Sequence, residues 1–153
     1  MSVYNYTLLN KLIIMSKVTI IKPGNSTIEL PLYSTKVPAG FPSPAEDYLG
    51  DTIDLNNYLI HNHESAFFAK VEGDSMIDAG IYPGDLVVID RSISAKDGHI
   101  VIAAIDNEFT IKRLSTKDGI RLIPENKDYK VIVLNGETEL IIWGVVTGLV
   151  RKF

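Results

Sequence analysis

The amino-acid sequence predicts a mostly β fold, a compact β-rich domain with short helices that follows an extended N-terminal arm. From about residue 65 onward, runs of β-branched and aromatic residues of strand length are separated by Gly, Pro, Asn or Asp. No long helical pattern lies between these runs, which favours antiparallel pairing of consecutive strands. The chain has 153 residues, enough for one such domain but not comfortably for two.

The N-terminal segment has few of the residues that a core needs. Prolines and glycines are frequent between residues 22 and 42, which is typical of an exposed arm. On these residues alone a plain tail is an equal alternative. We predict a flexible arm over residues 1–42 and a β-rich domain over residues 43–153.

Two short helices are predicted where the domain begins. Ser43 can cap a helix, Pro44 fits the first helical position, and Glu46 can complete a capping box. A second helix is expected to start at Asp54 and to continue into 55–60.

About seven strands are predicted after residue 65. They cover residues 67–71, 86–89, 99–105, 108–114, 120–123, 130–134 and 140–146. Asp106 and Asn107 join the third of these strands to the fourth, which predicts a hairpin.

Composition excludes several classes of site. The chain has no cysteine, which excludes disulfides, thiolate zinc sites and cysteine nucleophiles and is compatible with the cytoplasm. Fifteen Lys and Arg residues against 19 Asp and Glu residues give a net charge of −4, so direct nucleic-acid binding is not expected. No segment approaches the roughly 20 apolar residues of a membrane span, and the start lacks the pattern of a signal peptide.

The segment Glu72–Gly80 contains the first candidate for chemistry. Ser75 follows a predicted strand, and a helical turn is expected after it. Such a turn exposes the hydroxyl, and backbone N–H groups around Asp74, Ser75 and Met76 can stabilise an oxyanion. Gly-Asp-Ser is also ordinary turn chemistry, which is the favoured interpretation when the segment is taken alone.

A serine nucleophile needs a base, and the three histidines are weak candidates. His99 lies in a predicted strand, while His61 and His63 belong to a polar loop. Adjacent loop residues rarely converge on one ion, so a solvated loop is favoured over a metal site. No metal or other cofactor is predicted.

Lys112 is the more informative candidate for the base. In the predicted strand it shares a face with Thr110 and Leu114, so it can point into the fold. Desolvation lowers the pKa of a lysine and lets it act as a general base, and a Ser–Lys dyad is a known variant of the catalytic triad. A solvated face is the commoner place for a strand lysine, so the pattern alone leaves both interpretations open.

Five segments together resemble the LexA/UmuD family of self-cleaving Ser–Lys proteases, peptidase family S24. They are Ala39-Gly40, Gly73–Met76, Gly84–Leu86, Gly98–Val101 and Phe109–Leu114. The resemblance implies a LexA/UmuD-type catalytic domain with Ser75 as nucleophile and Lys112 as base. It also implies cleavage of the chain's own Ala39-Gly40 bond, which lies in the predicted arm.

The residues before this bond favour the UmuD branch of the family. LexA and the phage repressors carry a helix-turn-helix domain there, whereas the 39 residues that precede Gly40 contain no credible recognition helix. Gly40–Tyr48 and Ile53–Asn56 are similar to UmuD. Residues 1–15 have no counterpart and their role stays open; an upstream extension, with Met15 rather than Met1 as the start, is one hypothesis.

The UmuD branch implies a role in the SOS response. A cytoplasmic homodimer would be cleaved when a RecA–single-stranded DNA filament stimulates it. The shortened product would join a UmuC-type subunit in an error-prone translesion polymerase. Two alternatives stay open: a LexA-like or phage-repressor-like regulator with the same self-cleaving domain, and a processing protease that acts on other proteins.

Overall fold

The computed structural model describes residues 18–24, 29–33, 40 and 49–153. These residues belong to two compact units. The larger unit contains residues 18–23 and Asn62–Phe153, and the smaller unit contains the described residues of Gly24–His61.

The described helices and strands, in chain order, are β1 (Val18–Ile21), β2 (Glu29–Tyr33), β3 (Leu49–Asp54), α1 (Leu55–Leu59), β4 (Ala66–Val71), a 3-10 turn (Ile77–Ala79), β5 (Leu86–Asp90), β6 (Ile100–Ile105), β7 (Glu108–Ser115), β8 (Arg121–Ile123), β9 (Ile132–Val133) and β10 (Leu140–Val150).

One antiparallel sheet of eight strands forms the larger unit, in the order β1-β4-β5-β10-β6-β7-β8-β9. Strands β4 to β10 correspond to the seven predicted strands, and the mostly β fold is therefore confirmed. Two strands differ from the prediction by more than one residue at an end: β9 is reduced to two residues, and β10 continues to Val150.

The hairpin between β6 and β7 forms where the sequence predicts it. Asp106 and Asn107 both have positive φ, 47° and 67°, and Ile105 pairs with Glu108 across them. Two consecutive positive φ angles are typical of a tight two-residue hairpin turn, and Asp and Asn tolerate them better than most residues.

Side chains on the two faces of β6 and β7 enter two separate core clusters. Ile102 and its partner Ile111 pack with Met76 and Trp143. Val101 lies in the other cluster, and it pairs with Lys112 in the register of the two strands. Because successive strand residues point to opposite faces, Lys112 is on the face of Val101 and not on that of Ile111.

Strand β1 was not predicted. It comes from the segment that the sequence assigns to the arm, yet Val18–Ile21 pair with β4 and Ile20 is buried in the core. Most other residues of the predicted arm lie outside the described part of the chain, so the boundary between residues 42 and 43 stays a prediction.

The smaller unit contains a β2–β3 hairpin followed by α1. Glu29 pairs with Asp54 in the hairpin, and the Asp54 side chain accepts a hydrogen bond of 2.9 Å from the Asn56 backbone N–H. This cap is the helix start that the sequence predicts at Asp54. The other predicted helix start, 43–46, lies outside the described residues.

Candidate active site

Ser75 lies in a tight turn between β4 and the 3-10 turn. Gly73 enters this turn with φ +79°, a conformation that favours glycine, and Gly80 ends the 3-10 turn with φ +78°. The backbone N–H of Ile77 donates to the Asp74 carbonyl oxygen at 3.3 Å. The local sequence therefore places the serine in a turn, as the Gly-Asp-Ser composition indicates.

The amine of Lys112 contacts the hydroxyl of Ser75. Lys112 Nζ lies 2.9 Å from Ser75 Oγ, although 37 positions separate the two residues in the chain. The lysine is only 7% exposed. Of the two environments that the strand pattern left open, the structure gives Lys112 the buried one.

Two further hydrogen bonds orient the Lys112 amine. Nζ donates to Thr110 Oγ1 at 2.8 Å and to the Ile111 carbonyl oxygen at 2.9 Å. A neutral amine has two N–H groups and one lone pair. If the N–H groups bind Thr110 and Ile111, the lone pair is directed at the Ser75 hydroxyl, which is the geometry that a general base requires.

Two backbone N–H groups beside Ser75 are available to a ligand. Among the described residues, the N–H groups of Ser75 and Met76 donate to no protein acceptor. They lie in the turn that precedes the short helical segment, where unpaired N–H groups can bind an oxyanion. This is the turn in which the sequence predicts the oxyanion site at Asp74, Ser75 and Met76.

A cleft of about 180 Å³ opens over the Ser75–Lys112 pair. It is lined by Glu72, Gly73, Asp74, Ser75, Thr110, Ile111, Lys112, Tyr129, Lys130 and Ile132. The lining combines the Ser75 turn, strand β7 and the start of β9, so an extended peptide could lie across the hydroxyl.

The loop between β8 and β9 contributes residues that the sequence analysis did not single out. The hydroxyl of Tyr129 donates a hydrogen bond to the Asp74 carboxylate. This bond to a carboxylate raises the pKa of Tyr129 above its ordinary value. The only sequence signal is the turn-forming composition of 124–128, which indicates a loop but not its partner.

The remaining predicted positions are placed as follows. Gly40 is exposed and belongs to the smaller unit, whereas Ala39 lies outside the described residues, so cleavage at this bond stays a prediction. His99 Nδ1 accepts a hydrogen bond of 3.2 Å from the Lys96 backbone N–H.

Within the described part of the chain, no group of three or more His, Asp or Glu residues is arranged to hold a metal ion. The helices of that part are too short or too polar to cross a membrane.

Comparison with known proteins shows similarity to one family over most of the chain. The family model "Peptidase S24-like" matches residues 31–147, more than half of the sequence. Protein SamA of Salmonella typhimurium is 45% identical over 131 residues, which cover 86% of this chain and 90% of SamA. Protein MucA of Escherichia coli is 43% identical over 119 residues, 77% of this chain and 82% of MucA.

A LexA repressor is also similar, but over less of its own length. The LexA repressor of Clostridium novyi is 42% identical over 119 residues, which cover 77% of this chain and 58% of the repressor. The resemblance read from the five sequence segments is thereby confirmed at the level of the family. This chain belongs to the peptidase S24-like family.

Proposed function

We propose that the chain is a serine peptidase that cleaves its own Ala39-Gly40 bond, with Ser75 as the nucleophile and Lys112 as the general base. The hydrogen bond of 2.9 Å between the buried Lys112 amine and Ser75 Oγ is the observation that carries this proposal. Membership of the peptidase S24-like family supports the activity in general.

The chemistry follows the usual course of acyl transfer. Neutral Lys112 accepts the Ser75 proton while Oγ attacks the carbonyl carbon of Ala39. The N–H groups of Ser75 and Met76 bind the developing oxyanion. The Lys112 ammonium then gives the proton to the nitrogen of Gly40, which leaves as an amine, and water hydrolyses the ester on Ser75.

The bond belongs to the same polypeptide or to a second copy in a homodimer, so the cleft does not have to capture a free substrate. Holding the bond beside Oγ supplies much of the rate advantage of such a reaction. Small residues at the bond suit this arrangement, because they let the arm lie close to the Ser75 turn.

For the cellular role, we favour a cytoplasmic SOS-response protein whose cleavage is stimulated by a RecA–single-stranded DNA filament. The shortened product then serves as an accessory subunit of an error-prone translesion polymerase with a UmuC-type partner. The similarity to SamA, which extends over 90% of SamA, supports this role over a LexA-like regulator, because the similarity to the LexA repressor covers 58% of that protein. Sequence-specific DNA binding by the purified chain would favour the regulator instead.

The central test compares wild type with Ser75→Ala and Lys112→Ala after incubation with an activated RecA filament. Mass spectrometry should find the fragments 1–39 and 40–153 for wild type and only intact chain for both variants. Lys127→Ala is a matched control that should be cleaved like wild type, because this lysine is exposed and does not line the cleft. Cleavage at another bond, or cleavage that survives Ser75→Ala, contradicts the proposal.

The same experiment without the filament tests the stimulation. Wild type should then be cleaved much more slowly, at the same bond. Equal rates with and without the filament would rule out RecA stimulation while leaving the peptidase assignment intact.

A further inference from the structure

The loop between β8 and β9 holds the Ser75 turn through several hydrogen bonds. The backbone N–H of Glu125 donates to the Ser75 carbonyl oxygen at 2.9 Å, and the Glu125 carbonyl oxygen accepts from the Asp78 N–H at 2.8 Å. The side-chain amide of Asn126 donates to the Asp74 carbonyl oxygen at 2.9 Å. The loop therefore binds two successive carbonyl groups of the turn.

Both ends of the Asn126 side chain are used. While Nδ2 binds the turn, Oδ1 accepts a hydrogen bond of 3.0 Å from the Asp128 N–H within the loop. Asn126 is only 7% exposed, so its amide is held in place and shielded from water. A buried polar side chain that is hydrogen-bonded at both ends fixes the geometry of what it binds.

The two carbonyl groups matter because each belongs to the same peptide unit as one candidate oxyanion donor. A peptide unit is planar and trans, so its C=O and N–H point in opposite directions. The Asp74 carbonyl shares a peptide unit with the Ser75 N–H, and the Ser75 carbonyl shares one with the Met76 N–H. A loop that binds both carbonyl oxygens therefore turns both N–H groups away from itself.

The loop is also connected to the strand that carries Lys112. The side chain of Glu125 forms an ion pair with Arg113, the residue after Lys112 in β7. Arg113 additionally donates to the Gly98 carbonyl oxygen at 2.7 Å. One loop thus contacts the nucleophile's turn and the strand of the base, and it can fix the distance between them.

We propose that Asn126 is a positioning residue that orients the oxyanion-binding N–H of Ser75 through the Asp74 carbonyl group, with the Glu125 backbone doing the same for the Met76 N–H. The inference rests on the proposed function, in which Ser75 is the nucleophile. Asn126 touches no reacting atom and acts entirely through the peptide unit that it binds. The Ile77 N–H also binds the Asp74 carbonyl, at the longer distance of 3.3 Å, so removing the Asn126 donor weakens the orientation without abolishing it.

The sharpest test replaces Asn126 with Asp. Asn126→Asp keeps the acceptor for the Asp128 N–H but sets a carboxylate oxygen against the Asp74 carbonyl oxygen, where the amide donor had been. Asn135→Asp is the matched control, because Asn135 is exposed and its Oδ1 likewise accepts from a backbone N–H two residues on, at 3.3 Å. Asn126→Ser provides a second, smaller change in case the carboxylate prevents folding.

The readout is the rate at which a fluorophosphonate labels Ser75 in the full-length chain, measured well below each variant's unfolding temperature. Such a probe reports the nucleophile and its oxyanion donors without requiring the arm to bind. We expect Asn126→Asp to react about tenfold to a hundredfold more slowly than wild type, as misplacement of reacting groups can cost. Asn135→Asp should react at the wild-type rate.

The outcomes separate this inference from the proposed function. Folded Asn126 variants that are less stable but react at the wild-type rate would show that Asn126 only stabilises the fold, and the inference would be wrong. If wild type and Ser75→Ala are labelled equally, the proposed function itself fails. Slow labelling of both Asn126 variants, together with fast labelling of wild type and Asn135→Asp, supports the inference.

Discussion

At the scale of single residues, the orientation of the Lys112 amine depends on Thr110. Thr110 Oγ1 accepts a hydrogen bond of 2.8 Å from Nζ, two positions away on the same face of β7. Thr110→Val keeps the shape of the side chain and removes this acceptor. A hydrogen bond contributes about 0.5–1.5 kcal/mol, so self-cleavage should slow about threefold to tenfold, measured as the loss of intact chain with time. The exposed Thr147 in β10 is a matched site, and Thr147→Val should leave the rate unchanged.

The pH dependence of self-cleavage tests the protonation state of Lys112. The amine has to be neutral to accept the Ser75 proton, so the rate should rise with pH until the amine is fully deprotonated. Cleavage without a filament, followed by electrophoresis over a series of buffers, measures this profile. A flat profile would contradict the assignment of Lys112 as the base.

Tyr129 should titrate at a higher pH than an ordinary tyrosine. Its hydrogen bond to the Asp74 carboxylate raises the pKa above the ordinary 10.0. The bond therefore contributes stability at pH values below 10.0, and this contribution is lost as pH rises through the folded-state pKa. Tyrosinate absorbance of the wild type should therefore contain a step at high pH that comes from Tyr129. Tyr129→Phe should remove that late step, and Asp74→Asn should move it to lower pH.

Residue patterns made Ser75 and Lys112 candidates and the family resemblance paired them, but neither indicated what holds the pair together. Alternation in 109–114 put Lys112 on one face with Thr110 and Leu114 but left a buried and a solvated lysine both open, and Gly-Asp-Ser indicated a turn at Ser75. The contact of Glu125 with this turn could not be predicted in this way. It acts on Ser75 through backbone N–H and carbonyl groups, which every residue except proline possesses, and a residue type gives no signal for them.

At the scale of elements, β10 is the longest of the described strands and lies in the interior of the sheet. It pairs with β5 on one side and β6 on the other, and its register shifts between Ile142 and Gly144 and again between Val146 and Gly148. The sequence predicts its first part from a run of apolar residues. Its extension to Val150 depends on pairing with Leu86, more than 60 positions earlier, and local patterns carry no information on such partners.

Gly144 is required by the packing of β10 against β5. A Cβ atom at this position would clash with Ile89 Cγ2 and would lie 3.3 Å from Arg91 Cγ. Gly144→Ala should therefore lower the free energy of unfolding by about 1–3 kcal/mol, the usual cost of overpacking a core. Denaturant unfolding measures the change. Gly24→Ala is the control, since none of the described residues lies within 4 Å of its Cβ position, and a similar loss there would contradict the steric explanation.

At the scale of the whole molecule, the first and last of the described strands, β1 and β10, belong to the same sheet. Strand β1 occupies one edge next to β4, and β10 lies in the interior of the sheet between β5 and β6. Prolines and glycines near residues 22–42 indicated an arm, but they gave no indication that Val18–Ile21 would pair with β4. Four residues of strand type are too few to predict a strand without knowledge of the edge that receives them.

The residues after β10 are held by an ion pair with a buried carboxylate. Arg151 Nε and Nη2 lie 2.7 Å and 2.6 Å from the two oxygens of Asp85, and Nη2 also donates to the Gly80 carbonyl oxygen at 2.8 Å. Asp85 is only 2% exposed, and it accepts a further hydrogen bond from the Tyr82 N–H at 2.8 Å. The pair thus links the end of the chain to the start of β5 and to the turn that follows Ser75.

This ion pair should make the stability of the larger unit depend on pH in the acidic range. The hydrogen bond from Arg151 holds the pKa of Asp85 below its ordinary 3.8. The stabilisation is therefore complete above pH 3.8 and is lost as pH falls through the lower pKa of the folded state. Arg151→Gln removes the charged partner of a buried carboxylate, so it should lower the denaturant midpoint at neutral pH and reduce the loss of stability on acidification.

Arg121→Gln, which breaks the surface pair with Asp118, should change neither, because exposed ion pairs contribute little. Parallel curves of stability against pH for wild type and Arg151→Gln would contradict this explanation, since Asp85 would then contribute nothing to the loss of stability in acid.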